Sequence, residues 1–274
     1  DFEYLGMVNI GQYLPLDSWL HRIDARARII VYLLIIMALT FASKLGGLGL
    51  GLLIVLLLLK IGRVPIGFAL RSLVPPLPFI FLLAILQIFI TPAGSDTPLY
   101  SAGFLSIHLS GILAAARLLL RFAALVLALG LASYTLSTAE MLQGLQSLLS
   151  PLTRIGLPTH DFVMILQVTI RFIPFLAQSA ERIAKAQAAR GADWGTRRGN
   201  LLQRVRQVVP LIIPLFLTSL RRAEAMALAM DARGYGGPAK RTSMLVMHMR
   251  ASDGGIFVFG VLAFAAVLFL PWPI

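Results

Sequence analysis

The residues whose types and spacing could do chemistry in this chain are arginines that come in a repeat. Glu181-Arg-Ile-Ala184-Lys-Ala186-Gln-Ala-Ala189-Arg190-Gly191 aligns without a gap with Glu224-Ala-Met-Ala227-Leu-Ala229-Met-Asp-Ala232-Arg233-Gly234. One Ala-Arg-Gly has a simple structural explanation. A cation in the last helical turn faces the negative helix end, and glycine takes the left-handed conformation that stops the helix. Capping does not, however, require the same alanines and the same glutamate upstream, in register, twice. The pattern describes a thin helix tip on which alanines let another backbone approach closely. A guanidinium with five donors then projects from the end toward a carboxylate or carbonyl cluster. Two near-identical tips imply two near-identical grooves, hence a dimeric or pseudo-dimeric partner.

Arg117 and Arg121 form a second constellation, four residues apart and so on one helical face. In an apolar helix such a pair could be substrate ligands or a charge relay. The plainer alternative has them snorkelling or bonded to carbonyls of neighbouring helices, and the lack of an acid in any other span favours it. The basic run from Arg197-Arg198 to Arg206 could attract anionic lipid at about 1 kcal/mol per charge. It lacks the interleaved aromatics of a nucleic-acid platform, so no nucleic acid is expected.

Other chemistries lack their residues. No G-x-x-x-x-G-K-[ST] phosphate loop and no H-E-x-x-H occur, and His21, His108, His160 and His248 are scattered. There is no Gly-x-Ser-x-Gly elbow and no pair of intramembrane aspartates. With no cysteine, disulfides, iron–sulfur clusters and thiolate zinc sites are excluded. No metal site and no catalytic residue is expected.

The elements that must position the tips follow from composition. Of 274 residues 58% are hydrophobic and only 13% charged, with mean hydropathy +0.84. A soluble domain carries about a quarter charged residues, so an all-α integral membrane protein is the expected class. No cleavable signal is expected, because the first apolar run begins at Ile29, behind His21, Arg22, Asp24, Arg26 and Arg28. Uncharged runs predict about five transmembrane helices. Two turn tightly near Lys44–Gly47, between Ile29 and Leu59; a third follows Pro75, Pro76 and Pro78 to Ile90; a fourth covers Gly111–Ser133; a fifth covers Ile256–Leu270. The segments between them read as a basic loop from Lys60 to Arg71 with helix-breaking Pro65, and a loop from Thr91 to Ser110 that contains no Lys or Arg. The net charge of +12 falls mostly on the N-terminal segment, the Lys60–Arg71 loop and residues 134–255. The positive-inside rule then places all three in the cytoplasm and the C-terminus outside.

The expected organisation is therefore a cytoplasmic segment 1–28, four transmembrane helices in 29–133, a cytoplasmic or interfacial module 134–255, and a fifth transmembrane helix in 256–274. Within the module, Ser137 or Thr138 should cap a helix with Glu140 in its first turn, ending at Ser150-Pro151, with a short piece to Gly156-Leu157-Pro158. Two long helices, about 160–190 and 200–233, carry the tips. Their apolar halves, Phe162–Leu176 and Val208–Leu220, are shorter than a bilayer crossing and interrupted by Arg171 and Pro174, or by Pro210 and Pro214. They are expected to pack against partner helices at the membrane surface, and a seven-span arrangement is the alternative.

At the repeated tips the chain resembles the transmembrane T component of energy-coupling factor (ECF) transporters, the family that includes the cobalt and nickel uptake permease subunit. The likeness extends over nearly the whole chain: Gly11-Gln12-Tyr13-Leu14-Pro15, Asp17-Ser18 and His21-Arg22-Ile23-Asp24 near the start, Arg171-Phe172-Ile173-Pro174, Pro214-Leu215-Phe216, Arg221-Arg222-Ala223, and Ala229-Met230-Asp231-Ala232-Arg233-Gly234-Tyr235. Departures lie in loops such as Gly236-Gly237-Pro238.

The resemblance implies a non-catalytic subunit of a multi-pass importer in a bacterial or archaeal cell membrane. Its two long coupling helices would dock on two ABC-type ATPases, which would hold the ATP and Mg²⁺; this chain would need no cofactor. Arg190 and Arg233 would be the principal docking residues, with Ala189, Ala232, Gly191, Gly234, Glu181 and Glu224 around them. A small membrane S component that captures a vitamin or transition-metal ion would pack near Phe172, Pro174, Pro210 and Pro214. ATP-driven motion would change the angle between the helices and tip the S component. The tips differ at Lys185 against Leu228 and Gln187 against Met230, which suits an ATPase homodimer or heterodimer. Two competing readings are a conventional ABC permease half that lines the substrate path, and a lipid-active membrane enzyme using Arg117 and Arg121.

Overall fold

The computed structural model of the chain describes Leu14 and residues 16–90, 100–102, 105–151, 159–191, 201–235 and 251–270. They fall into two compact units, one containing 158–246 and the other containing 11–157 with 247–274. Gly11–Tyr13, Pro15, the piece ending at Gly156-Leu157-Pro158, Gly236-Gly237-Pro238 and His248 lie outside the described residues, as do the side chains of the basic run from Arg197 to Arg206.

In the larger unit a single turn of 3-10 helix (Trp19–Arg22) leads into α1 (Ala25–Phe41), α2 (Leu45–Ile61), α3 (Ile66–Leu73) and α4 (Leu77–Ile90). A two-stranded antiparallel ribbon follows, β1 (Tyr100–Ala102) and β2 (Leu105–Ile107), with Tyr100 opposite Ile107. Then come α5 (Leu109–Thr135) and α6 (Thr138–Leu149), and finally α9 (Ala251–Phe269). The smaller unit consists of α7 (Thr159–Ala189) and α8 (Leu201–Asp231). The chain is an all-α membrane protein apart from the short ribbon.

Local chemistry sets the helix ends. The Asp24 carboxylate accepts from the Arg26 amide at 2.9 Å and caps α1. Ser137 opens α6 with a capping box: its hydroxyl accepts from the Glu140 amide, and the Glu140 carboxylate accepts from the Ser137 amide. The expected Lys60–Arg71 loop contains α3, because Pro65 starts a helix instead of breaking one; its carbonyl accepts from the Phe68 amide. Between α3 and α4 the axis bends by 55°, where Pro75 and Pro76 supply no amide to the preceding turn. The expected Thr91–Ser110 loop contains the ribbon.

Small residues set the packing. A Cβ on Gly260 of α9 would stand 2.9 Å from Val31 of α1, and one on Gly111 of α5 would stand 2.7 Å from the Ile88 carbonyl of α4. Gly144 brings α6 against Ala25 and Ile29 of α1. Such close approach is how helices associate in lipid, where apolar side chains gain little by leaving the hydrocarbon. Leu20, Val31, Leu39, Leu48, Val55, Ala124 and Leu131 form the buried centre, while Phe79, Phe81 and Leu82 of α4 are more than half exposed, as a lipid-facing surface requires.

Two described helices are long and apolar enough to cross a membrane: α5, and the Asp161–Ala189 part of α7; the bent α3–α4 pair makes a third. With 17 residues each, α1 and α2 reach about 25 Å, near the lower limit for a span. Each of α7 and α8 has 31 residues, about 46 Å of helix.

Candidate functional site

Both duplicated tips end in the same way. In α8 the Gly234 amide donates to the Asp231 carbonyl at 2.8 Å and the Tyr235 amide to the Met230 carbonyl at 3.0 Å, the two bonds of a Schellman ending. In α7 the Gly191 amide donates to the Ala188 carbonyl at 3.0 Å, the matching first bond. Gly191 has φ +83° and Gly234 φ +71°, the left-handed region that a side chain penalises. The glycines therefore do what capping demands, and the arginines before them sit at the last helix-flanking position. Ala189, Arg190 and Gly191 are exposed, as are Ala232, Arg233 and Gly234. Neither Arg190 nor Arg233 has a side-chain partner among the described residues.

The upstream glutamates differ. Glu181 is held by Lys185 across one turn of α7, with 2.6 Å between carboxylate and ammonium. Glu224 is exposed, and Leu228, at the position matching Lys185, is 71% exposed. The two tips thus share an arginine but differ one helical turn below it: one is salt-bridged, the other offers an apolar side chain.

Phe172 lies at the crossing of α7 and α8. It packs edge-on against Phe175 (6.1 Å between ring centres), and the Arg222 guanidinium of α8 stands 3.7 Å from the Phe175 ring centre and 5.9 Å from that of Phe172. Part of the Phe172 surface is therefore occupied within the pair. The crossing lies 15 residues before Arg190 and 11 before Arg233, about 22 and 16 Å of helix. Pro174 and Pro210 are exposed and Pro214 half-buried, all inside continuous helices where each removes one backbone hydrogen bond.

In the larger unit Arg121 donates from Nη2 to the Ala42 carbonyl at 2.5 Å, and Arg117 from Nε to the Leu113 carbonyl of its own helix at 3.3 Å. The Arg121 bond is the neighbouring-helix carbonyl alternative weighed from the sequence, whereas Arg117 bonds only its own helix.

Sequence reasoning missed a buried polar cluster at the other end of α5. Arg28, 2% exposed, donates from Nη1 to the Thr135 carbonyl at 2.6 Å, and its Nη2 lies 3.1 Å from the Glu140 carboxylate. The Tyr32 and Thr135 hydroxyls share a hydrogen bond at 2.8 Å, and the Asp24 amide donates to Asp253. Nearby, Ser18 and the His21 ring are hydrogen-bonded at 2.7 Å. Burial, and then the Arg28 charge, hold the His21 ring below the usual histidine range. The only advance signal was an arginine in a first helical turn, where a cation opposes the helix dipole and needs another partner. Among the described residues no group of histidines and carboxylates could hold a metal ion.

Comparison with known proteins gives a consistent answer. Residues 17–244 match the family model described as CbiQ, cobalt transport protein. The chain is 35% identical over 246 residues to the energy-coupling factor transporter transmembrane protein EcfT of Clostridium kluyveri, covering 90% of each. It is 38% identical over 251 residues to EcfT of Heliobacterium modesticaldum, covering 92% of each. To EcfT of Bacillus subtilis it is 32% identical over 260 residues, covering 95% of this chain and 96% of the relative.

Proposed function

Because the chain belongs to the CbiQ family of cobalt transport proteins and is a transmembrane component of an energy-coupling factor transporter, we propose that Arg190 and Arg233 are the two points at which a pair of ATP-hydrolysing subunits takes hold. One observation carries this reading: two helices end in the same exposed Ala-Arg-Gly, with the same left-handed glycine and a guanidinium that has no side-chain partner among the described residues. A solvated arginine at a helix end is free to enter a carboxylate-lined groove, and a twofold partner offers two. The chain performs no hydrolysis; ATP and Mg²⁺ belong to the ATPases.

The remaining assignments follow from the charge pattern and the family. The N-terminus and the tip-bearing helices are cytoplasmic, and five helical segments (α1, α2, the bent α3–α4 pair, α5 and α9) cross the membrane. Although α7 is long and apolar enough to cross, its final third carries Glu181, Arg182 and Lys185, and Arg190 follows directly. Its apolar half, 162–176, would reach only about 22 Å and is interrupted by Arg171 and Pro174. We place it along the membrane surface, facing a substrate-binding membrane partner near Phe172, Pro174, Pro210 and Pro214, with a vitamin or transition-metal ion as cargo. The Arg222 clasp then lies where a change in the angle between α7 and α8 would be felt.

The test is Arg190→Ala, Arg233→Ala and the double variant, assayed for co-purification with the ATPases and for uptake in proteoliposomes. Each single variant should weaken both, and the double variant should abolish them. A double variant that assembles and transports like the wild type refutes the docking role.

A further inference from the structure

The two tips share their alanines, arginine and glycine, yet the faces that lead up to the arginines are unlike. On α7, Arg182, Lys185 and Ala189 follow one another at spacings of three and four, so they lie along one side of the helix. In the second copy of the repeat the matching residues are Ala225, Leu228 and Ala232. They keep the same register, since the Ala232 amide still donates to the Leu228 carbonyl at 2.9 Å. All six residues are exposed.

Charge separates the faces further. Over 181–190, Arg182, Lys185 and Arg190 against Glu181 leave a net charge of +2; over 224–233, Arg233 against Glu224 and Asp231 leaves −1. The Lys185 side chain is 57% exposed, and its bond to Glu181 across one turn is of the kind that water and salt weaken, so the ammonium can exchange it for a carboxylate from outside. Among the described residues no carboxylate forms an ion pair with Arg182. Leu228 instead stands 71% exposed among Ala225, Ala227 and Ala229.

No single lining suits both faces. A carboxylate-rimmed groove attracts Arg182 and Lys185 but repels Glu224 and Asp231. A groove with an apolar socket takes up Leu228 but would strip water from Arg182 and Lys185 without replacing it. We propose that the two grooves are chemically unlike: the one receiving α7 is rimmed by carboxylates that hold Arg182 and Lys185, and the one receiving α8 contains an apolar socket for Leu228. Arg182, Lys185 and Leu228 are then the specificity-determining residues that assign each tip to its own groove, whereas Arg190 and Arg233 make the grip common to both. The assignment rests on the docking of both tips proposed above.

The experiment exchanges the faces. Arg182→Ala/Lys185→Leu gives α7 the face of α8, and Ala225→Arg/Leu228→Lys gives α8 the face of α7. Each full chain, in lipid nanodiscs, is titrated with the purified ATPase pair that co-purifies with the wild type. Titrations are run at about 50 mM and about 500 mM salt, between which the Debye length falls from about 14 to about 4 Å. The positions are exposed and the replacements are good helix formers, so the denaturation midpoint of the chain alone should not move. At low salt both variants should bind about tenfold more weakly than the wild type. Leu228→Lys alone, a single exposed change, should do the same. High salt should weaken the wild type more than Arg182→Ala/Lys185→Leu, which lacks the cations that salt screens. Equal or tighter binding by Ala225→Arg/Leu228→Lys would mean that both grooves are acidic. Equal or tighter binding by Arg182→Ala/Lys185→Leu, or an unchanged salt dependence in it, would mean that neither groove needs those cations. Each of these results overturns the proposal. Arg190→Ala/Arg233→Ala separates the two readings: if it binds like the wild type, docking and the unlike grooves fall together, and if it fails to bind while the face exchanges are neutral, only the unlike grooves fall.

Discussion

Arg28→Met deletes a buried charge while leaving an unbranched stem of similar length, and the structure sets the size of the effect. The substitution removes the donor at 2.6 Å from the Thr135 carbonyl and the ion pair at 3.1 Å with Glu140. A hydrogen bond from a charged donor contributes about 1.5–3 kcal/mol. Breaking a fully buried ion pair costs about 3–5 kcal/mol, mostly because the abandoned charge stays desolvated. Glu140 is 34% exposed and keeps its bond from the Ser137 amide, so it regains water and the second contribution shrinks. The expected cost is about 3 kcal/mol, which at this chain length lowers the melting temperature by about 6–12 °C. Glu140→Gln preserves the capping acceptor and should cost about 1 kcal/mol. In a double-mutant cycle the two should couple by about 1 kcal/mol. The assay is reversible denaturation of the purified chain in mixed micelles, followed in all four variants. A cost below 1 kcal/mol for Arg28→Met, or no coupling, would mean that α6 is held on α1 only by the contact of Gly144 with Ala25 and Ile29.

Gly111→Ala should disrupt the α4–α5 contact, because the new Cβ meets the Ile88 carbonyl at 2.7 Å and backbone cannot swing away. A loss of about 1–3 kcal/mol is expected in the same denaturation assay, whereas Gly49→Ala, with nothing within 4 Å, should be tolerated. Arg222→Gln removes the cation from the Phe175 face at a cost of about 1 kcal/mol. It should broaden the distance distribution between spin labels placed on α7 and α8, which is readily measured because the chain has no native cysteine. His21 has a folded-state pKa below its ordinary 6.5, because burial and then Arg28 oppose the imidazolium. The unfolded chain therefore takes up the proton first. The His21 contribution is constant above pH 6.5 and is lost as pH falls from there through the folded pKa. His21→Gln should flatten that acid slope in denaturation midpoints, and an unchanged slope would exclude the residue.

What the sequence by itself determined is local or compositional. An apolar excess with few charges placed the chain in a membrane, and runs of uncharged residues located α1, α2, α4, α5 and α9 to within a few residues. Ser137 with Glu140, and the glycines at 191 and 234, announced helix ends because caps act over three to five residues of neighbouring chain. The identical register of the two tips needs no coordinates to be seen. Proline misled where its meaning depends on position: Pro65 read as a breaker and begins α3. What only the tertiary structure decided is which distant groups meet. Nothing within reach of Arg28 along the chain names Glu140, more than a hundred residues away, as its partner. Nor does the sequence say that Arg222 lies on Phe175, that Arg121 caps α1 at Ala42, or that Gly111 is where a backbone passes. A cap or a periodicity is fixed by bonds and sterics between chain neighbours, whereas an arginine accepts any carbonyl, ring or carboxylate that the packing of whole helices brings to it.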